Sequence, residues 1–488
     1  MSRLIRNSFF LIGLLISIQL KASACNVRLT SNSTPNDVKH AKRVYVHTTV
    51  DLKGKTLELA KNSNLIFKGG SITNGCVVFS NTKISGTPAI YCKVSGSIKN
   101  DVLSVDWFLL NNDLDPLYEQ GVFNLSGMKK IELQNKTYVA RVRGRNSGIT
   151  LSDVAIEGNG ATLRAKAGGS TSQSLLMFSS CSNISIKDLV LVGSEETATE
   201  EGARHNLSLY NCENIKLENV ISLNAFTDGL YIRKSNHLVI NGYKAYQSGR
   251  QGCSVTAGND IQFQNCLFDG SYRVAPMAGL DIEPNYDSDI VDNITVTGCV
   301  FTNNTASGLT IKLKQRGEGA TCNIAVENCF FDGNGINISV ASAPYSGKGH
   351  IDIFNCTLKN SKGVSFQSKC YSATETPRVR LHNSVLENAN MNAGTDVREQ
   401  AAFISVHNIS SHPLSGNFGN LEIHSLTIKQ NEKLVKNIKR AISIYPDAKY
   451  EVENVSISNV TFGFEEKEGS TRLMYIPKSG VRSVNIKQ

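Results

Sequence analysis

Ionisable side chains are concentrated between residues 205 and 316, and several of them are spaced for an alternating strand. Asp281 and Glu283 are two residues apart, as are Tyr231 and Arg233, so each pair would project from one side of a strand. Carboxylates, a phenol, an imidazole and guanidinium groups could together transfer protons and bind an acidic substrate. The candidate residues are His205, Asp228, Tyr231, Arg233, Arg250, Arg273, Asp281, Glu283, Lys312, Lys314 and Arg316.

A repeated phrase in the sequence would position these side chains. An alternating apolar strand is followed by Asn or a small residue, and one apolar or small position recurs at steps of 31, 23, 23, 33, 30, 27 and 28 residues from Leu189 to Ser384. Short strands of period 2 between Asn, Gly and Ser corners, without helical periodicity, predict an all-β solenoid of the parallel β-helix type. The recurring positions are Val154, Leu189, Val220, Tyr243, Cys266, Cys299, Cys329, Cys356, Ser384, Leu426 and Val460.

On these residues the chain resembles right-handed parallel β-helix proteins of the pectate lyase type. Its opening, residues 50–59 and 67–75, is similar to the first coils of secreted carbohydrate-active β-helix proteins of gut Bacteroidetes. The resemblance covers most of the mature chain and implies a right-handed solenoid, wound from one chain, that acts on a polysaccharide. The particular family it suggests is family 29 of the polysaccharide lyases, known for glycosaminoglycan cleavage.

The N-terminus predicts export. Residues 1–24 contain Arg3 and Arg6, then an apolar run and a small-residue cleavage site, which are the parts of a signal peptide. The apolar run is too short to span a bilayer and nothing later replaces it, so no transmembrane segment is expected. Cys25 directly follows the cleavage site and could be lipidated at the cell surface; a periplasmic or extracellular protein is the alternative.

The mature chain is predicted to form one elongated monomer, since no linker or low-complexity stretch interrupts it. Residues 25–146 would form N-terminal coils and a cap, and residues 147–390 the regular coils that carry the groove. Residues 391–488 would be C-terminal coils, with long loops at 391–417 and 427–440. Helix should be scarce.

The charge balance indicates the class of partner. The formal charge is +9, and removal of Arg3, Arg6 and Lys21 with the signal peptide leaves +6. A positive groove concentrates polyanions along it, so an anionic polysaccharide is the expected partner. Basic residues are not interleaved with aromatic ones as a nucleic-acid platform requires, so no nucleic acid is expected.

Twelve cysteines in an exported chain could form disulfides. Their spacing predicts free thiols instead, because Cys266, Cys299, Cys329 and Cys356 occupy the same register of successive coils. Buried cysteine behaves as a small apolar residue, so the prediction is an interior ladder.

Alternation divides four consecutive strands into two sets of side chains. The inside set is Leu230, Ile232, Cys253, Val255, Leu280, Ile282, Leu309 and Ile311, and the outside set is Tyr231, Arg233, Ser254, Thr256, Asp281, Glu283, Thr310 and Lys312. Coils stack about 4.8 Å apart, so outward groups two coils apart lie about 10 Å apart and can contact one sugar. The alternative to an active site is a solvated charged face whose ion pairs contribute about 0–1 kcal/mol each.

A lyase acting on a uronic acid polymer is the first hypothesis. Such an enzyme must neutralise the sugar carboxylate, remove the adjacent proton and protonate the leaving oxygen. Lys312 or Tyr231 would be the base, with His205 as the partner of Tyr231. The predicted catalytic residues are Lys312, Tyr231, Arg233, His205 and Arg316, and the predicted substrate-binding residues are Arg250, Asp228, Lys314 and Arg273.

This layout is similar to the calcium-assisted β-helix lyases of alginate and dermatan sulfate. The resemblance implies that Asp281 and Glu283 help to bind calcium and that Lys312 and Arg316 perform the proton transfers. The chain departs from that family on the preceding coil, where a Ser and a Thr stand in place of the Asn ligand.

Two other classes remain open. A glycoside hydrolase would use carboxylates from Asp228, Asp281 and Glu283. The β-helix polygalacturonases have an Asp-Asp pair and an Arg-x-Lys motif, which residues 227–229 and 233–234 lack. A noncatalytic glycan-binding solenoid is the third possibility, although adhesins usually repeat one surface motif along their length, whereas this charged cluster is local.

Overall fold

The computed structural model describes residues 26–487 with internal gaps. The gaps are 145–146, 167–172, 194–203, 315–319, 344–345, 371, 373, 393–401, 408–416, 446–449, 466–471 and 476–483. The described chain forms two units, one within residues 1–140 and 150–161 and one within residues 141–149 and 162–488. The predicted signal peptide and Cys25 lie outside the described residues, so export and lipidation stay predictions, as do a monomeric state and the domain limits at 146 and 390.

The first unit is built from short parallel strands around a small apolar interior. Val44 pairs with Leu65, and Leu65 with Ile84, and all three side chains are buried. Its strands are β1 (Asn26–Arg28), β2 (Arg43–Val46), β3 (Val50–Asp51), β4 (Thr56–Glu58), β5 (Asn64–Phe67), β6 (Ile72–Gly86), β7 (Ile90–Ile98), β8 (Val102–Ser104), β9 (Lys130–Glu132), β10 (Thr137–Ala140) and most of β11 (Ser152–Ala165). Its helices are α1 (Pro35–Val38), α2 (Asp115–Gln120) and the 3-10 turns Val105–Phe108 and Val122–Asn124.

In the second unit each coil contributes strands to three parallel faces. The face that carries the ionisable cluster is called the site face, and its strands pair in parallel from one coil to the next. It comprises β12 (Gln173–Ser179), β14 (Arg204–Tyr210), the first halves of β16 (Asp228–Asn241) and β18 (Gln251–Gln264), β20 (Ala278–Ile282), β23 (Ser307–Leu313), β26 (Ile336–Ser342), β29 (Phe366–Cys370), β32 (Ala402–Val406), β34 (Arg440–Ile444) and β36 (Arg472–Tyr475).

The other two faces close the coil. The second face comprises β13 (Ser182–Val192), β15 (Glu213–Leu223), the second halves of β16 and β18, β21 (Val291–Thr297), β24 (Ile324–Glu327), β27 (His350–Phe354), β30 (Arg378–His382), β33 (Phe418–Lys429), β35 (Val452–Phe462) and β37 (Val484–Lys487). The third face comprises the ends of β13, β15, β33 and β35 with β17 (Lys244–Tyr246), β19 (Leu267–Asp269), β22 (Val300–Thr302), β25 (Phe330–Asp332), β28 (Thr357–Lys359) and β31 (Val385–Glu387). A 3-10 turn spans Glu432–Asn437.

The strand pairing confirms the repeat read from the sequence. Leu189 pairs with Val220, and Leu426 with Val460, each pair one step of the predicted repeat. The inside set is confirmed as well, since its eight side chains are all fully buried. The fold class is therefore all-β, and the α-helices described have only four and six residues.

Stacked side chains fill the interior of the coils. The four cysteines of the predicted ladder are at most 2% exposed, and the ten cysteines whose side chains are described are all free. Next to them Phe268 stacks on Phe301 at 5.0 Å, and Phe301 on Phe331 at 4.5 Å between ring centroids. Identical residues at one register thus pack on each other from coil to coil, which confirms the thiol ladder for the described residues.

Asparagine forms many of the corners between faces. Asn183 and Asn214 both have a positive φ, near 54°, and the Asn214 side-chain amide donates to the Asn183 side-chain oxygen at 3.0 Å. Asn tolerates the left-handed conformation better than most residues, so a polar ladder follows the corner outside the apolar interior.

One expected loop contains a strand. The sequence 391–417 was predicted to be an insertion over one face, but β32 lies within it and all five of its residues are buried. Its apolar residues belong to a coil, since the strand pairs with β29 and β34 on either side. The repeat is not recognisable there in the sequence because the segments before and after the strand are longer than in other coils. Within the described residues, no helix is long and apolar enough to cross a membrane.

Candidate active site

A cleft of about 370 Å³ opens on the site face where the predicted ionisable residues cluster. Strands of five consecutive coils contribute to it, because outward side chains at one register form columns along the stack. Its lining residues are Ser174, Met177, His205, Tyr210, Tyr231, Arg250, Gln251, Ser254, Thr256, Pro276, Asp281, Glu283 and Asn285.

The register accounts for which groups meet. Tyr231 pairs with Ser254, and Ser254 with Asp281, so these three side chains form one column across three coils. Asp228 pairs with Gln251 in the neighbouring column. The two columns are three residues apart, so period 2 alone would place them on opposite sides of the strand. They nevertheless meet at the start of the strand, where the Ser254 hydroxyl lies within hydrogen-bond distance of both Asp228 and Gln251.

Asp228 is fully buried behind the cleft lining, so it does not contact substrate directly, contrary to the prediction from the sequence. The Arg250 guanidinium donates two hydrogen bonds to its carboxylate, at 2.7 and 2.6 Å, and the Ser254 hydroxyl donates a third at 2.9 Å. Burial alone would raise the pKa of Asp228, but interactions with His205 and Arg250 outweigh it and hold the pKa below the usual range. The group is therefore a buried anion that orients its neighbours.

His205 and Tyr231 stack beside this anion. Their rings are 4.5 Å apart between centroids and nearly parallel, and both side chains are less than 10% exposed. The Nδ1 atom of His205 lies 3.3 Å from the Asp228 carboxylate and 3.1 Å from the Thr227 hydroxyl. A proton on Nδ1, donated to the carboxylate, leaves the lone pair of a neutral imidazole on Nε2.

Asp281 has the opposite electrostatic character. Gln251 donates to its Oδ2, while its buried Oδ1 has no hydrogen-bond partner in the structure. Burial, with repulsion from Glu283 and then Asp228, raises the pKa of Asp281 to about 8. A neutral carboxyl whose Oδ2 accepts from an amide carries its proton on Oδ1, so this group is a hydrogen-bond donor at neutral pH.

Glu283 lines the cleft on the same coil as Asp281, and Lys312 lies beside it on the next coil. The Lys312 ammonium lies 2.9 Å from the Glu283 carboxylate, and the lysine side chain is half exposed. The pair confirms the predicted register. It also means that the Lys312 charge is already matched by a carboxylate.

The other described residues predicted from the sequence are not part of the cleft lining, although two of them border it. Arg233 interacts with the lining residue Tyr231, and Lys314 contacts the backbone of the lining residue Asn285. Arg233 faces Asp289 at 3.6 Å and the Tyr286 ring at 5.1 Å. Arg273 lies over the Phe226 ring at 3.8 Å, and Lys314 donates to a backbone carbonyl at 3.2 Å. Arg316 is outside the described residues.

Sequence reasoning missed Gln251 and Tyr210, both of which line the cleft. Gln251 stands three residues before Ser254 at the start of its strand, and its position in the Asp228 register was the available signal. Tyr210 lies on an earlier coil, with its ring 5.6 Å from that of Tyr231. No feature of its local sequence distinguishes it from other outward residues.

The donor set offers little support for calcium. Among the described residues no three His, Cys, Asp or Glu side chains are grouped to hold a metal ion. One oxygen of Asp281 accepts from Gln251, and Glu283 pairs with Lys312, so the two predicted ligands face other partners. The calcium site stays a prediction.

Comparison with known proteins supports the architecture. The family model described as "Right handed beta helix region" matches residues 174–357. The coil is a right-handed parallel β-helix. No curated protein sequence matches the chain.

Solved structures with a similar β-helix come from several enzymes. The A-module of the mannuronan C-5 epimerase AlgE6 of Azotobacter vinelandii is 14% identical, with a TM-score of 0.51 over 73% of this chain and 90% of that one. The family 28 exopolygalacturonase of Yersinia enterocolitica is 11% identical, with a TM-score of 0.51 over 80% and 79%. The catalytic domain of a GH87 α-1,3-glucanase, in complex with tetrasaccharides, is 12% identical, with a TM-score of 0.54 over 80% and 68%. At this identity the likeness is one of fold.

Proposed function

We propose that the protein is a polysaccharide lyase that cleaves a uronic acid-containing polymer, glycosaminoglycan-like in character, by β-elimination. The observation that carries the proposal is the stacked His205–Tyr231 pair above the Asp228–Arg250 ion pair, in a cleft open to solvent. Two similarly folded proteins bear the names of an epimerase and a polygalacturonase, which is in keeping with a polysaccharide as substrate.

The first requirement of β-elimination is neutralisation of the sugar carboxylate. Arg250 uses Nε and one Nη for Asp228, and its other Nη is left for substrate. A sugar carboxylate paired with that guanidinium would be neutralised enough to acidify the adjacent C5–H. In this proposal Arg250 keeps the substrate-binding role expected for it from the sequence.

The second requirement is transfer of two protons. His205, with Nδ1 held by Asp228, presents Nε2 as the base that removes the C5 proton. The C5 electron pair forms the C4=C5 double bond as the C4–O bond breaks, and the Tyr231 hydroxyl protonates the leaving oxygen. The roles of the two stacked groups interchange if the sugar binds in the opposite orientation. Lys312 is a less suitable base because Glu283 neutralises it.

The first experiment measures the product of the purified chain on chondroitin sulfate, dermatan sulfate, hyaluronan, alginate and polygalacturonate. A rise in the ultraviolet absorbance of an unsaturated uronate identifies a lyase. Parallel reactions with calcium and with chelator test the calcium prediction. New reducing ends without that absorbance would contradict β-elimination.

Tyr231→Phe tests the assignment within the site. Loss of one proton-transfer group should lower kcat by about 100-fold or more, with a smaller change in KM. Tyr272→Phe is the matched control, because Tyr272 is half exposed and does not line the cleft. Full activity of Tyr231→Phe would remove Tyr231 from the mechanism.

A glycoside hydrolase is the second candidate, and one observation favours it. Asp281 is a carboxylic acid with its pKa raised to about 8, next to the charged Glu283, and an acid and a carboxylate are the two groups that hydrolysis requires. In that case saturated products would appear, and Asp281→Asn would abolish them while Tyr231→Phe would not.

A further inference from the structure

The site face continues beyond the cleft, and its outward column changes from acidic to basic. After Glu283 the same column contains Lys312, Ala341 and Lys369 on three successive coils. Ala341 is small and partly exposed, so the two lysines flank a shallow gap. Two coils separate their backbones by about 10 Å, a distance that two lysine side chains can span.

Lys369 differs from Lys312 because no described side chain of opposite charge pairs with it. Within the part of the chain that the structure describes, it forms no ion pair, whereas Lys312 pairs with Glu283 at 2.9 Å. Burial, with repulsion from Lys312, lowers the pKa of Lys369 to about 8. A partly buried cation beside a like charge is unfavourable unless an anion compensates it.

We propose that Lys369, beside the Ala341 gap, binds an anionic group of the polysaccharide, a carboxylate or a sulfate, three coils from the cleft-lining Glu283. The inference rests on the proposed function, because the anion belongs to the polymer bound in the cleft. Asp281 and Gln367 occupy one column three coils apart, so the polymer would extend about 14 Å along the coil stack. Lys369 would then select for acidic polymers longer than the cleft.

The test measures binding separately from turnover. Calorimetric titrations of chondroitin sulfate and of hyaluronan are made in a Tyr231→Phe background, with and without Lys369→Met. The lost charge-assisted contact should weaken binding about tenfold. Lys369→Arg should restore most of the affinity. Lys359→Met is the matched control, since Lys359 is a similarly half-buried lysine on the third face.

The two polymers distinguish the anion. Weaker binding of both assigns a carboxylate, and weaker binding of chondroitin sulfate alone assigns a sulfate. Unchanged affinity of Lys369→Met for both polymers would overturn the inference, as would no binding by the parent protein. Titration requires no catalysis. Absence of an unsaturated product would therefore refute the lyase proposal, while the binding data would still test the role of Lys369.

Discussion

Two aspartates in the cleft illustrate how neighbours decide the protonation of one side-chain type. Both are buried, yet Asp228 has a lowered pKa because Arg250 and His205 stabilise its charge, while Asp281 is raised to about 8. Gln251 satisfies one oxygen of Asp281 without supplying charge. These two aspartates therefore differ in charge, one an anion and the other a neutral acid, which is the division of roles that acid and base chemistry uses.

Asp281→Asn should change how stability depends on pH. The native carboxyl keeps its proton up to about pH 8, whereas the unfolded one releases it near 3.8, so rising pH favours the unfolded state across that window. Wild-type should lose roughly a few kcal/mol of unfolding free energy between those pH values through this one group. Asn mimics the neutral acid, so the variant should equal wild-type near pH 4 and exceed it at pH 8. Urea unfolding at several pH values measures this difference, and parallel curves would contradict it.

The part of the candidate site that could be predicted from the sequence is the part that follows the alternation of inward and outward side chains along a strand. Period 2 identified Tyr231, Asp281 and Glu283 as outward neighbours, and the structure places all three in the cleft lining. Arg233 was expected there on the same pattern and does lie beside Tyr231, but its guanidinium faces Asp289 and the residue is not part of the lining. Alternation predicts the side of the strand from which a side chain projects and does not predict which partner a long side chain contacts.

At the scale of elements, corners decide whether coils can stack. Each turn from one face to the next needs residues in the left-handed region, and Asn fills many of these positions. Asn214 combines that conformation with a side-chain hydrogen bond to Asn183 on the neighbouring coil. Corners thus contribute both a backbone shape and a link along the stack.

Asn214→Ala should destabilise the coil by about 1–2 kcal/mol, since a Cβ-bearing residue without a polar side chain is strained at positive φ. Asn214→Gly should cost less, because glycine adopts this conformation freely and only the side-chain hydrogen bond is lost. Lys216→Ala is the control, an exposed change two residues along the same strand. Chemical unfolding measures the order of the three variants, and equal stability of the Ala and Gly variants would show that corner conformation is not limiting.

The regular coils could be predicted from the sequence more readily than the segments that interrupt the repeat. A repeat that can be counted, such as the steps from Leu189 to Ser384, fixes strand register because every step adds one coil. Between Ser384 and Leu426 the repeat step lengthens to 42 residues. The spacing therefore predicts a loop where the structure has the strand β32. Long corners on both sides of this strand remove the regular spacing by which a strand is recognised in the sequence. Its burial shows that it nevertheless belongs to the coil.

At the scale of the whole molecule, apolar stacking fills the interior of the coils, and the described cysteines form no disulfide. The ten described cysteines are free, and nine of them are buried in the interior or beneath a corner. For Cys92, burial raises the pKa of the thiol to about 12. Thiolates are the reactive form, so such thiols should be inert while the coil is intact.

Reductant should therefore leave the melting temperature of the protein unchanged, and a thiol reagent should react with the buried cysteines only as the coils unfold. The reason is that each cysteine contributes apolar volume, in register with its neighbours, and no cross-link constrains the unfolded chain. Thermal melts with and without dithiothreitol, followed by thiol counting in native and denatured samples, measure both effects. A lower melting temperature under reducing conditions would mean that disulfides form in the exported protein and that the ladder describes only its reduced state.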